Sequence, residues 1–219
     1  AKFFGLSEKQ YRKSLSQLRA AINVVEKQMS AQQWPKINYE HVPSKAQLTY
    51  KGAFEKHDPI RYRSYIAEVT AGTKKINASA LFPYEIYDKC KAGTQPQVLD
   101  VMWNALPNYL ENNASNMLVV ADVSGSMSGR PLSISVSLAI YIAERNKGAF
   151  KDYFLTFSNA PQLQKVVGSN ICEKINNLER SQWDMSTNLQ ATFELILNHA
   201  VKAKTPAVEM PSQIVIVSD

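Results

Sequence analysis

Cysteines and long apolar runs are scarce in this 219-residue sequence. Its two cysteines, Cys90 and Cys172, lie far apart and outside any C-x-x-C spacing. We therefore expect free or buried thiols, because neither a disulfide framework nor a zinc finger is encoded. No apolar run reaches the roughly 18 residues of a membrane span, and the N-terminus lacks the features of a secretory signal. These absences predict an intracellular, cytoplasmic protein that does not associate with a membrane.

Acidic residues are too few to balance the basic ones, and the formal net charge is +6. Residues 1–117 hold 16 Lys and Arg against 10 Asp and Glu, whereas residues 118–219 hold 9 against 9. A basic excess in the first half can attract RNA or acidic proteins. The Lys and Arg residues are not clustered among aromatic ones, which is typical of an ordinary solvated surface.

Motifs of nucleotide-binding proteins and serine hydrolases are also missing. No G-x-G-x-x-G occurs, and no Walker lysine follows a glycine-rich loop. Gly125-Ser126-Met127-Ser128-Gly129 has methionine where G-x-S-x-G requires the nucleophile. These classes of protein are not supported.

The first half of the chain has helical patterns. Ser7 and Gln10 have capping-box spacing, and an apolar stripe then continues until Trp34-Pro35. The stripe predicts one long amphipathic helix that faces the core, and it comprises Tyr11, Leu15, Leu18, Ile22, Val25 and Met29. Further helical segments lead to Pro107, and a polar, turn-forming stretch follows at 112–116. We therefore predict an α-helical region over 1–115.

After this stretch, strands alternate with helices. Four short segments are predicted strands, at 117–121, 153–157, 163–167 and 213–217, and the apolar run 117–121 is typical of a strand buried on both faces. Three helices are predicted between them, at 131–146, 170–178 and 189–203. This alternation predicts an α/β domain over 116–219, with a Rossmann-like parallel sheet flanked by helices. Ligands of such sheets bind at the carboxyl ends of the strands, where Asp122 and Asp219 fall.

Oxygen-bearing side chains follow the first strand as D-x-S-x-S, formed by Asp122, Ser124 and Ser126. Hard cations such as Mg²⁺ take oxygen ligands and retain some water, so one carboxylate and two hydroxyls leave open positions. A site with so few anionic ligands keeps the cation electrophilic enough to bind a partner's carboxylate. The alternative is that the two serines only cap the next helix and form turns.

The context of this motif resembles the von Willebrand factor A (vWA) domain. That domain's metal-ion-dependent adhesion site (MIDAS) combines D-x-S-x-S with a threonine from a later loop and an aspartate after another strand. Matched by position, the resemblance implies metal ligands at Asp122, Ser124, Ser126, Thr187 and Asp219. It implies Mg²⁺ or Mn²⁺ as the cation, and that the two aspartates act partly through metal-bound waters. The implied function is binding of an acidic side chain of a protein partner, without catalysis.

The helical half resembles an uncharacterised family that joins such helices to an A domain. The resemblance rests on short segments that include Ile37-Asn38-Tyr39, Lys75-Ile76-Asn77-Ala78 and Leu81-Phe82-Pro83. The layout is similar to that of the Ro, or TROVE, ribonucleoproteins, in which a helical ring binds RNA beside an A domain. RNA binding through the basic helical region is therefore an alternative function.

An enzymatic alternative comes from the haloacid-dehalogenase-like phosphatases, which use Mg²⁺. Asp122, Thr156 and Asp219 imitate the order of their nucleophile, hydroxyl residue and metal ligand. That family has a second acidic residue two positions after the nucleophile, and this position is Ser124 here. The expected general acid/base is therefore missing. We therefore expect the binding function rather than catalysis.

Overall fold

A computed structural model describes residues 2–22, 24–78, 80–111, 116–157, 161–181 and 188–219. The chain forms two compact units, Ala1–Ala80 and Leu81–Asp219. The predicted boundary between 115 and 116 falls within the second unit, and residues 112–115 of the polar stretch lie outside the described part.

The first unit is helical. Its α-helices are α1 (Glu8–Ala21), α2 (Val25–Ser30), α3 (Ser44–His57) and α4 (Pro59–Thr70). Short 3₁₀ helices lie at Lys2–Phe4, Trp34–Lys36 and Tyr39–His41.

The predicted long helix is two helices, so that prediction was wrong. Ser7 forms the predicted capping box with Gln10, but α1 ends at Ala21 and α2 begins only at Val25. β-branched Ile22 and Val24 fall at this break, where their poorer helix propensity weakens continuation. The part of the stripe in α1 does not face the core, because α1 contains no buried residue and Ile22 is 71% exposed, whereas Val25 at the start of α2 is buried.

The core of the first unit lies under α3 and α4. Phe54 and Tyr62 are fully or almost fully buried, and the rings of both pack against Tyr39. The buried Gln47 amide donates to the carbonyl of Tyr39 at 2.9 Å, and the Arg61 guanidinium donates to the carbonyl of Ile37 at 2.7 Å. These two polar side chains tie α3 and α4 to the backbone of the segment that precedes them.

The second unit combines helices with a four-stranded sheet. Its strands are β1 (Met117–Ala121), β2 (Tyr153–Thr156), β3 (Leu163–Lys165) and β4 (Gln213–Val217). Its helices are α5 (Pro83–Lys91), α6 (Pro96–Asn104), α7 (Arg130–Arg145), α8 (Ile171–Glu179) and α9 (Leu189–Ala203). Short 3₁₀ helices lie at Gly125–Met127, Gly148–Phe150 and Ala207–Glu209. The four predicted strands and three predicted helices of this half are confirmed to within two residues at each end.

The sheet is mixed, with the strand order β3-β2-β1-β4. β1 is parallel to both β2 and β4, but β3 is antiparallel to β2, which corrects the prediction of a parallel sheet. The reason is the short connection between β2 and β3, because a parallel neighbour requires a crossover of a dozen or more residues.

Helices cover both faces of the sheet. One face carries Leu118 and Val120 of β1, which cluster with Leu155 of β2 and with Ile196 and Ala200 of α9. The intervening β1 residues point to the opposite face, and α7 packs on β1 and β2. β1 is therefore buried on both sides, as its continuous apolar sequence predicts.

α5 and α6 pack on the helices that flank the sheet. α5 contacts α7 and α8, and Trp103 of α6 donates from its ring nitrogen to Glu144 of α7 at 2.7 Å. Cys90 of α5 and Cys172 of α8 form a disulfide, so the prediction of free thiols was wrong. The two cysteines are 82 residues apart in sequence, so no local pattern indicates that they pair. The fold brings their Cα atoms within 5.3 Å of each other.

Within the described ranges, no helix combines the length and the apolar character needed to cross a membrane.

Candidate metal site

Two neighbouring parallel strands, β1 and β4, bring Asp122 and Asp219 to one edge of the sheet. Ala121 is in register with Val217, and the backbone N–H of Asp122 donates to the carbonyl of Val217 at 2.9 Å. Asp122 follows β1 directly, and Asp219 follows β4 after one residue. The predicted placement at the carboxyl ends of strands is confirmed for these two residues.

Asp122 is fixed in place by its neighbours. Its side chain is buried, one carboxylate oxygen accepts from the Ser124 backbone N–H at 2.9 Å, and the other accepts from the Ser218 hydroxyl at 2.7 Å. Burial by itself raises the pKa of Asp122, but the hydrogen bonds from Ser124 and Ser218 outweigh it and bring the pKa below its ordinary value. A carboxylate is therefore held ionised at the base of the site.

Ser124, Ser126 and Asp219 form a short chain of oxygen atoms. The Ser124 and Ser126 hydroxyl oxygens lie 3.0 Å apart, and the Ser126 hydroxyl donates to an Asp219 carboxylate oxygen at 3.3 Å. Ser126 and Asp219 are exposed and Ser124 is partly exposed, whereas Asp122 lies beneath them. The oxygen atoms therefore face a surface that solvent or a partner can reach.

This donor set fits a hard cation. Neighbouring ligands in an octahedral Mg²⁺ shell with bonds of 2.0–2.1 Å lie about 2.9 Å from each other. The 3.0 Å between the two serine hydroxyls is close to that spacing. The hydroxyls of Ser124 and Ser126 can therefore hold adjacent positions, and the carboxylates of Asp122 and Asp219 supply the negative charge beside them.

Helix capping does not account for the two serines. The residue that caps α7 is Gly129, and neither α7 nor the 3₁₀ helix Gly125–Met127 has a side-chain capping hydrogen bond. Instead, the serine hydroxyls contact each other and Asp219. Their arrangement is that of a cluster and not that of a cap.

The fifth predicted ligand, Thr187, lies outside the described residues, as does the preceding segment from 182. Within the described ranges, no three His, Cys, Asp or Glu side chains come together. The described residues of the site supply two carboxylates, and a cation bound by them would depend on hydroxyl and water oxygens for most of its ligands.

Sequence reasoning did not identify Ser218 as part of the site. The Ser218 hydroxyl donates a hydrogen bond to one carboxylate oxygen of Asp122, and the Ser124 backbone N–H donates to the other. The available signal was its position between the last residue of β4 and Asp219, at the same edge of the sheet as Asp122.

The comparisons with known proteins give families and one relative. Residues 116–219 match a domain of unknown function, DUF7788. The uncharacterized protein L728 of Acanthamoeba polyphaga mimivirus is 30% identical over 231 residues, which cover 98% of this chain and 40% of L728. The chain thus spans about two fifths of that relative, and no solved structure gives a significant match. Residues 4–121, more than half of the chain, match a second domain of unknown function, and the protein therefore belongs to the DUF2828 family.

Proposed function

We propose that residues 81–219 form a non-catalytic, divalent-cation-dependent binding module of the vWA type. Asp122, Ser124, Ser126 and Asp219 hold Mg²⁺ or Mn²⁺, and Thr187 completes the set as the vWA resemblance implies. The bound cation supplies a Lewis acid that accepts a carboxylate oxygen from an Asp or Glu side chain of a protein partner. The residues of this chain orient the cation and leave part of its shell open.

One observation carries the proposal: oxygen atoms from two separate segments meet at the carboxyl ends of β1 and β4. Ser126 and Asp219 are 93 residues apart in sequence, yet their side chains are in hydrogen-bonding contact. Asp122 and Ser218 are 96 residues apart and also in contact. Turn formation needs only local contacts, so this convergence supports a ligand site.

The low charge of the site supports binding to an acidic partner. Asp122 and Asp219 together neutralise the two positive charges of the cation, and the serine hydroxyls add none. A cation held by two carboxylates still attracts the carboxylate of a partner. A site with three or four carboxylate ligands would carry a net negative charge and would repel that carboxylate. The buried position of Asp122 strengthens its attraction for the cation, because screening by solvent is weaker there.

A thermal-shift experiment tests the site. At a cation concentration of about 100 times Kd, binding stabilises the folded state by about 2.7 kcal/mol. The unit of residues 81–219 should then melt about 5–10 °C higher. Asp122→Ala should abolish the shift, whereas Glu194→Ala, which removes an exposed carboxylate that accepts from Gln190 of the same helix, should keep it. An equal shift in Asp122→Ala and the wild type would rule out the site.

A second experiment tests the partner chemistry. A glutamate-rich peptide should be retained by the immobilised protein in the presence of Mn²⁺ and released by a chelator. The matched peptide with glutamine in place of glutamate should not be retained. Equal retention of both peptides would show that a carboxylate is not the group recognised.

Among the described residues, no contact favours the phosphatase or the RNA-binding alternative. In the phosphatase alternative, the Thr156 hydroxyl would contact substrate, but Thr156 is 1% exposed and accepts a hydrogen bond from Gln164. The described side chains of the basic helical unit show no arrangement that would select RNA over another polyanion. Phosphatase activity and RNA binding stay predictions from the sequence.

A further inference from the structure

Arg130 attaches the end of the candidate metal loop to α5. This arginine is the first residue of α7 and follows the loop of residues 122–129 directly. One guanidinium nitrogen lies 2.7 Å from a carboxylate oxygen of Asp88, and the guanidinium carbon lies 4.6 Å from the ring centre of Tyr84. Both partners belong to α5, so a single side chain makes an ionic contact and a cation–π contact with one helix.

The attachment point on α5 is rigid. Ile86 is fully buried, and the disulfide from Cys90 joins the helix to α8. Tyr84 is itself stacked on Phe82, with the ring centres 5.8 Å apart. The part of α5 that carries Asp88 and Tyr84 is therefore held against α8, while the side chains of Arg130 and Asp88 are 56% and 42% exposed.

The loop needs an anchor at this end. Its first residue, Asp122, is fixed by hydrogen bonds, and Met127 is buried. Gly129 then has a φ of +87°, a conformation that glycine adopts at little cost and in which it restrains the chain weakly. The next residue, Arg130, is the first whose side chain fixes the direction in which the loop enters α7.

We propose that Arg130 is a positioning residue for the metal site and that Asp88 and Tyr84 of α5 clamp it. The inference rests on the proposed function. The clamp keeps the Ser124–Ser126 turn in the geometry in which its two hydroxyl oxygens lie 3.0 Å apart. α5 thus supports cation binding through Arg130, while the described side-chain hydrogen bonds of the four ligands run among themselves and to Ser218.

The test is a Mn²⁺ titration of the 219-residue protein, followed by electron paramagnetic resonance and isothermal calorimetry. Loss of outer contacts that orient metal ligands weakens metal affinity about 10–100-fold. The Mn²⁺ affinity of Arg130→Ala should be about tenfold weaker than that of the wild type, because Arg130 holds the loop and does not contact a ligand atom. Arg130→Lys keeps the ion pair but loses the planar stacking, so it should recover part of the affinity. Asp88→Asn, which leaves Arg130 in place, should weaken Mn²⁺ binding in the same direction.

The matched control is Lys91→Ala, which removes an ion pair of the same helix that faces α8 and not the loop. It should change Mn²⁺ affinity less than twofold. The clamp is refuted if Arg130→Ala and Asp88→Asn both bind Mn²⁺ as the wild type does, or if Lys91→Ala weakens binding as much as they do. If Arg130→Ala does not fold, the Mn²⁺ affinities of Asp88→Asn and Arg130→Lys test the clamp.

Failure of the clamp and failure of the site give different results. If the wild type binds Mn²⁺ and Asp122→Ala does not, the site stands, and the Arg130 and Asp88 variants judge the clamp alone. If the wild type binds no Mn²⁺, or if Asp122→Ala binds it equally well, the site and the clamp are both refuted.

Discussion

Reduction of the disulfide between Cys90 and Cys172 should destabilise the second unit strongly. The bond closes a loop of 82 residues between α5 and α8. In the chain-entropy model, opening a loop of this length lowers the free energy of unfolding by about 4.5 kcal/mol. For the unit of residues 81–219 this corresponds to a fall in melting temperature of about 15 °C.

Urea denaturation of the oxidised and reduced protein, followed by far-UV circular dichroism, measures this effect. The double variant Cys90→Ser/Cys172→Ser should unfold at the same urea concentration as the reduced wild type. It should also be insensitive to dithiothreitol, which separates the effect of the bond from any other effect of the reductant. Alkylation followed by mass spectrometry establishes the state of both cysteines before each measurement.

Two results would refute this reasoning. One is rapid alkylation of both cysteines in the native protein without reductant, which would show that the bond is not formed. The other is a difference below about 1 kcal/mol between the oxidised protein and the double variant, far less than loop closure predicts. A change in m-value would instead show that the bond alters the compactness of the unfolded chain.

Two further predictions concern Asp122 and Asn146. The pKa of Asp122 is lower in the folded state than in the unfolded state. The ionised carboxylate therefore stabilises the fold at pH values above the unfolded-state pKa of about 3.9, and this stabilisation is lost as the pH falls through the folded-state pKa. In chelator, the melting temperatures of Asp122→Asn and the wild type should therefore converge below about pH 4; a constant difference would contradict this. Buried Asn146 bonds both the N–H and the carbonyl of Met117, so Asn146→Ala should cost about 2–3 kcal/mol in urea denaturation. Exposed Asn176→Ala should cost below about 1 kcal/mol, and equal losses would contradict the role of Asn146.

Local patterns in the sequence predicted the second unit well. β1 is a continuous apolar run and β2 is largely apolar because both are covered on both faces, and α9 begins and ends where its pattern predicts. Asp122 and Asp219 could be placed together because parallel strands direct their carboxyl ends to one edge. Each of these inferences depends on contacts that a short window of sequence encodes.

Features that depend on distant contacts were missed. The stripe of α1 has the spacing of a core helix, but spacing does not show whether another element covers it, and Leu18 is 61% exposed. The cysteines could not be paired because only the packing of α5 on α8 brings them together. Disulfides are rare in a reducing cytoplasm, so the bond also fits poorly with the predicted location.

The division of the chain into families does not coincide with its division into folded units. The two family matches meet at residues 116–121, whereas the second compact unit begins at Leu81. α5 and α6 lie before that junction, yet Asp100 of α6 accepts the backbone N–H of Ile171 at the start of α8 at 2.7 Å. A fragment that began at residue 116 would therefore lose the contact of Asp100 with α8, the disulfide and the contacts of Arg130 with α5 together. α5 and α6, which lie within the first family match, pack on the helices of the unit that contains the candidate site, which is a physical reason for the two matches to lie in one chain.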